Sequence, residues 1–253
     1  GEKGSCWCRL RIHGEAGHAS QPLRTDNALV TAAAVVGRLA AYRPTAQIHE
    51  AWRQFIKGMN WGDEMEALLL DPDQIEGLLD AMPDLGMARQ AHACTHLTIA
   101  PTIVHGGTKI NVIPDTVDLE LDIRTLPGQD EAEVRGLLAE AVGDLWPKVE
   151  VLFMIDDPAS SSPAGTPLWG AMEKVSEGFH PGAPLVPFFS VGATDARFFR
   201  RLGTTAYGYG MFSEKLSFEQ FATMFHGDDE RVDVESLEMS ASMFERLARE
   251  FLE

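Results

Sequence analysis

Three cysteines in 253 residues are too few for a disulfide scaffold and cannot all pair within the chain. Cys6 and Cys8 lie two apart on one face of an expected strand, where a mutual disulfide is geometrically poor. A reduced, cytoplasmic protein is the reading that follows. Basic residues are also scarce: 21 Lys and Arg face 38 Asp and Glu, a net charge of −17. That balance excludes nucleic acid and anionic membranes as partners, because both demand a cationic surface. No apolar run approaches the roughly 20 residues that span a bilayer, and no signal-like segment opens the chain. An initiator Met is lacking as well; the start Gly1-Glu2-Lys3-Gly4 points to a trimmed or excised chain. There are no internal repeats and no phosphate-binding loop. Ser160-Ser161-Ser162 has no nucleophile-elbow context.

What is present is enough apolar residue, 45%, to bury a substantial core, in helical and strand-like stretches that alternate. Residues 6–13 alternate with period two and read as a strand, followed by a Gly/Ser/Pro turn over 14–22. Asp26 is expected to cap an apolar helix over 27–41, closed by Pro44. Strands over 95–105 and 117–125 flank a turn carrying Gly106-Gly107 and Pro114; a helix over 131–144 and a strand over 148–155 follow. This β-α-β-β-α-β order predicts a mixed α/β fold of the ferredoxin-like, split βαβ kind, over residues 3–157. It is interrupted by an insertion at about 45–94, with helical patterns near 50–57, 64–70 and 74–80, which is expected to form its own helical cap. Residues 156–166 read as a linker. A second part, 167–253, is expected to hold helices over 167–178, 195–202 and 235–252 and strands over 184–191 and 204–210.

Five motifs follow one another along this framework. They are Gly14-Glu15-Ala16-Gly17-His18-Ala19-Ser20-Gln21-Pro22 with Asn27-Ala28, His105-Gly106-Gly107-Thr108-Lys109-Ile110-Asn111-Val112-Ile113-Pro114, Asp122-Ile123-Arg124, Gly192 to Arg197, and His226-Gly227-Asp228-Asp229-Glu230. In this order they resemble the M20 family of zinc metallohydrolases, which includes aminoacylases, deacetylases, desuccinylases and carboxypeptidases. The resemblance implies a ferredoxin-like dimerisation domain with a helical insertion, joined to the C-terminal portion of an α/β catalytic domain.

It also implies roles. His18 would reach across a homodimer and stabilise the developing oxyanion in the partner's site; without the motif it is a turn histidine. Asn111 and Arg124 look similar to residues that hold a substrate carboxylate or carbonyl, and Arg124 could equally make a strand-end salt bridge. Gly192 and Thr194 resemble a substrate-contacting turn. Ala193 stands where the family usually has a second glycine, so a difference in the turn geometry or in the pocket beside it is expected. His226 is the best metal-ligand candidate, set against an exposed loop histidine among acids. The family's His-x-Asp ligand, bridging Asp and Glu-Glu pair come from an N-terminal half that has no counterpart here. Neither His13-Gly14-Glu15 nor Glu64 and Glu66 makes a convincing substitute, and His92-Ala93-Cys94-Thr95-His96, at the entry to an expected strand, reads as structural.

The expected function is therefore part of a di-zinc hydrolase that cleaves an amide next to a free carboxylate, in an N-acyl amino acid or small peptide. The complete enzyme would carry two zinc ions and this chain alone weak zinc or none, and no activity. The alternatives are a non-catalytic homodimerisation module with relic site residues, or one chain of a split enzyme.

Overall fold

The computed structural model describes residues 1–253, apart from the side chains of Phe153, Met154 and Asp156. The fold is mixed α/β, and the chain divides into two compact units. One comprises residues 3–45 and 96–159, the other residues 1–2, 46–95 and 160–253.

The first unit is a four-stranded antiparallel sheet in the order β3-β5-β1-β6 (β3 Thr98–Gly106, β5 Thr116–Thr125, β1 Gly4–His13, β6 Val149–Asp157). Two helices, α1 (Ala28–Ala41) and α6 (Glu131–Val142), cover one face. Alternation explains the division of labour. Cys8, Leu10 and Ile12 of β1 and Val117, Leu119, Leu121 and Ile123 of β5 point into the core, where they meet Ala32, Val35 and Leu39 of α1 and Val134 and Leu138 of α6. The opposite face is charged: Arg9 pairs with Glu120 at 2.8 Å and Arg11 grips Asp118 at 2.8 and 3.0 Å. Asn27, not Asp26, caps α1 by accepting from Leu29 N; the Asp26 carboxylate instead accepts from Lys148 Nζ at 2.6 Å.

The second unit is largely helical. Its insertion holds α2 (Glu50–Met59), α3 (Asp63–Leu69), α4 (Ile75–Ala81) and α5 (Leu85–Thr95). Thus 85–95 is helical where the approach to a strand was expected. Asp84 Oδ1 accepts from Met87 N, and Ala88, Ala91 and Cys94 bury at helical spacing, a signal masked by the strand-like run that follows. His49 caps α2: its Nδ1 accepts from Trp52 N, and its Nε2 donates to Cys94 O at 2.8 Å. These helices pack with the C-terminal stretch of the same unit. Phe189 lies 4.6 Å from the His49 ring and Phe55 lies 6.0 Å from Phe188, ring centre to ring centre. At Gly58 a Cβ would fall 2.3 Å from a Val186 methyl, so that approach requires glycine.

In 160–253 the helices are α7 (Pro167–Glu177), α8 (Ala196–Arg201), α9 (Phe218–Met224) and α10 (Val234–Leu252). The expected strands over 184–191 and 204–210 do not form. Their backbone finds no ladder, and pairing there is limited to bridges from Glu2 to Ser160 and Ser190. A capping box starts α9 inside the segment expected to be irregular: Ser217 and Gln220 hold each other's backbone N–H.

Candidate functional site

In the sheet unit, two of the sequence motifs meet. β2 (Gly17–His18) pairs antiparallel with β4 (Val112–Ile113), which sets His18 opposite Val112 and Gly17 opposite Ile113. Ala19 N donates to Asn111 O at 3.0 Å, and Gly14 N to Asp115 O at 2.7 Å. The two Gly- and Pro-punctuated turns therefore zip together, and His18 and Asn111 become neighbours although 93 residues separate them. Both side chains are exposed.

The His18 ring is held from one side. Its Nδ1 lies 2.7 Å from Ser20 Oγ and 3.3 Å from Ser20 N. A backbone N–H can only donate, so Nδ1 is the accepting nitrogen. In the neutral ring the proton then resides on Nε2, as a donor on an exposed side chain.

Arg124 is already engaged. Its Nε and Nη2 form a fork on Asp122 at 2.6 and 2.8 Å, its Nη1 donates to Ser5 Oγ at 2.8 Å, and it lies over the Trp7 ring. It sits at one end of β5, whereas Thr116, at the other end, adjoins the paired turns of His18 and Asn111. Eight steps along an extended strand make roughly 25 Å.

Gly192 and Thr194 lie in the helical unit. Neither Gly192 nor Ala193 has a left-handed φ, so alanine in place of the family's usual glycine does not strain this turn. The turn is held from an unexpected direction. The Glu2 carboxylate accepts from Thr194 N with Oε2 and from Arg200 Nη1 with Oε1 at 2.7 Å. Both charged side chains are almost completely buried. Glu2 and Arg200, with Thr194, Trp169, Phe188 and Tyr209, line a cavity of about 420 Å³. Sequence reading missed this pair, because an acid and an arginine 198 residues apart leave no local pattern.

His226 follows α9 with φ at 57°, exposed, its backbone N donating to Glu230 Oε2 at 3.1 Å. Among the described residues, no group of three ligand-type side chains includes it. One exposed imidazole does not make a metal centre, so His226 by itself does not fit a zinc pair. His13 pairs with Glu150 at 3.4 Å, and Cys94 Sγ contacts Phe189 O at 3.3 Å. Burial pushes the Cys8 thiol up to about 12, which leaves it unreactive at neutral pH.

Comparison with known proteins adds context to these positions. The peptidase dimerisation domain of the M20 peptidases matches residues 1–150. The human N-fatty-acyl-amino acid synthase/hydrolase PM20D1 is 26% identical over 245 residues, which is 94% of this chain and 47% of that protein. Acetylornithine deacetylase of Klebsiella pneumoniae is 27% identical over 148 residues, 57% of this chain and 29% of that one. The chain spans about half the length of the first of these relatives. Among solved structures, the M20 metallo-carboxypeptidase Sso-CP2 of Sulfolobus solfataricus superposes with a TM-score of 0.63 at 17% identity, over 99% of this chain and 59% of that one. The dipeptidase Dug1p of Saccharomyces cerevisiae does so at 0.64 and 15%, over 99% and 55%.

Proposed function

The chain belongs to the M20 family of metallohydrolases, and from that premise we propose that it supplies the dimerisation domain and a substrate-binding segment of an amide hydrolase. The substrate is an N-acyl amino acid or small peptide, cleaved beside a free carboxylate. The observation that carries this reading is the His18 ring, held at Nδ1 by Ser20 with its Nε2 edge on an exposed side chain. Attack on an amide carbonyl turns its oxygen into an oxyanion, and a donor fixed before the reaction stabilises that charge without reorganising. Asn111, on the turn paired with that of His18, is the candidate for a second donor. Arg124 would take a substrate carboxylate only by giving up its fork on Asp122, and the Gly192–Thr194 turn is a separate candidate for substrate contact.

Roughly 25 Å along β5 separates Arg124 from the His18 end, more than a small acyl amino acid spans. If both touch one substrate, they come from different copies of the chain. That supports a homodimer with His18 acting in trans. The strand order β3-β5-β1-β6, with α1 and α6 on one face, supports reading the sheet unit as ferredoxin-like.

Zinc is the metal this reading calls for, two ions in the complete enzyme. His226 is the ligand this chain would offer, and the remaining ligands and the general base would come from outside these 253 residues. The isolated chain is accordingly inactive. Three cysteines, too few for a disulfide scaffold, favour a cytoplasmic setting. Among the described residues, no helix is long and apolar enough to cross a membrane.

The test uses the longer protein that contains this chain. His18→Ala and His226→Ala are each expected to lose about 10²–10³-fold or more in kcat. Mixing the two inactive variants under conditions of subunit exchange should restore roughly a quarter of wild-type activity. Half the dimers are then mixed, and each has one intact site of two. No recovery, with exchange verified, sinks the trans role.

A further inference from the structure

We propose that Glu2 is a positioning residue for the Gly192–Asp195 turn, clamping it through the backbone of Thr194, with Arg200 holding the carboxylate in place. The inference rests on the reading that this turn contacts substrate. Glu2 is fixed from several sides. Its backbone bridges Ser160, with Glu2 N donating to Ser160 O at 2.8 Å and Ser160 N to Glu2 O at 3.1 Å. Its Oε1 accepts from Arg200 Nη1 and, at 3.3 Å, from Ser160 Oγ. Its Oε2 is left for Thr194 N.

Arg200 is anchored in turn. Its Nη1 donates to Ser160 Oγ at 3.1 Å, and its Nε and Nη2 donate to Ala206 O at 3.1 and 2.9 Å. Ser162 Oγ ties the same loop, accepting from Ala206 N at 3.0 Å. The Glu2 carboxylate meets the Arg200 guanidinium, and each of the three guanidinium nitrogens has an acceptor.

A salt bridge whose task was stability alone would not need its second carboxylate oxygen on the amide of a turn. A hydrophobic pair of similar volume often serves stability as well. Here the charge fixes the direction of one peptide group, the one that joins Ala193 to Thr194. Thr194 Oγ1 accepts from Ala196 N at 3.2 Å where α8 opens, so the hydroxyl is turned toward the helix start and the peptide toward Glu2. The turn is thereby held through both the backbone and the side chain of one residue, on the wall of the 420 Å³ cavity.

The experiment uses the longer, active protein and two substitutions, Glu2→Gln and Glu2→Asp. Glu2→Gln removes the charge; Glu2→Asp keeps the ion pair with Arg200 but withdraws the carboxylate by one methylene from Thr194 N, and serves if Glu2→Gln fails to fold. Amide hydrogen exchange of 192–196 is measured beside KM and kcat, and Thr194→Val is run in parallel. The expected result is faster exchange confined to 192–196 and a rise in KM of about ten-fold, larger than any change in kcat. Unchanged exchange in that segment, or a lowered melting temperature with unchanged KM while Thr194→Val raises it, overturns the positioning role alone. If neither Thr194→Val nor the Glu2 variants move KM although exchange accelerates, the turn does not bind substrate, and the reading beneath the inference falls with it.

Discussion

The sheet unit and the C-terminal stretch of the helical unit treat their apolar side chains in opposite ways. In the first, the inner faces of β1 and β5 and the facing sides of α1 and α6 make one continuous core, with Leu10, Ile12, Ile123, Val134 and Leu138 fully buried. In the second, a small cluster of Val175, Met211 and Met243 sits under α7 and α10, while Phe198, Phe199, Phe212, Phe225, Phe244 and Phe251 are exposed. Scattered exposed apolar residues are ordinary, but this many large rings within one segment mark a surface meant for burial. A four-stranded sheet with two helices covers its own inner apolar face and pairs its central strands on both sides, with β3 and β6 as its edges. The run 184–191 cannot do the same, because a strand buried on both faces needs neighbours on both edges. The contrast teaches that the sheet unit closes one continuous core of its own, while leaving Leu29, Val30, Ile103, Val104 and Ile110 outside it. The C-terminal stretch has only a small core and leaves many of its large rings uncovered. On the proposed reading, chain outside these residues covers them.

The largest effect that sharpens this contrast is a cavity in the sheet unit. Ile123→Ala should cost about 3 kcal/mol in denaturant unfolding of that unit, since a fully buried methyl cluster is lost and the sheet cannot collapse around it. A cost below about 1 kcal/mol would mean the core is looser than its burial implies. Trp52→Phe, in the insertion, removes an indole N–H that donates to Leu69 O at 2.9 Å inside the helical unit. About 2 kcal/mol is expected, from the orphaned carbonyl and the lost volume. Removal of a helix cap comes next: Asn27→Ala should destabilise the sheet unit by about 1 kcal/mol, and Asp26→Ala by less if Asn27 is the true cap.

A pH titration addresses α10. Ser236, through its hydroxyl and its backbone N–H, and Ser213 hold the Asp233 carboxyl down to about 2. A depressed folded-state value contributes stability that is complete above the ordinary carboxylate range and is lost as pH falls toward 2. The helical unit should therefore loosen between about pH 4 and 2 in a way that Asp233→Asn flattens, read by helix-dichroism melts; an unchanged profile would count against the cap. The smallest effect is the most diagnostic of the contrast. Phe199→Ser should change the stability of this chain by less than about 0.5 kcal/mol, and cost about 2 kcal/mol in the longer protein if that surface is covered there.

Much of the sheet unit was legible because its periodicities are local. Alternation in 6–13 and 117–125 named the strands and their inner faces, and the apolar period of 27–41 named α1. The error of one residue at the α1 cap came from two adjacent competent cappers, Asp26 and Asn27, whose competition was settled by Lys148 from another element. The five motifs were legible in order. Their pairing was not, since nothing in 14–22 states that it will zip to 107–114. In the helical unit, α5 hid behind the strand-like run that follows it, and the strands expected over 184–191 and 204–210 failed for want of neighbours, a property of the whole fold rather than of the run.

By itself, then, the sequence determined most of the sheet unit's elements, their inner faces, and the family. Those follow from side-chain type and short-range spacing, which the chain carries at every position. Tertiary structure alone decided that His18 and Asn111 share one pair of turns, that the insertion packs with the C-terminal stretch, and that Glu2 and Arg200 close over Thr194. Each of these depends on contacts across tens to hundreds of residues, where no local periodicity reaches and only the packed chain selects the partner.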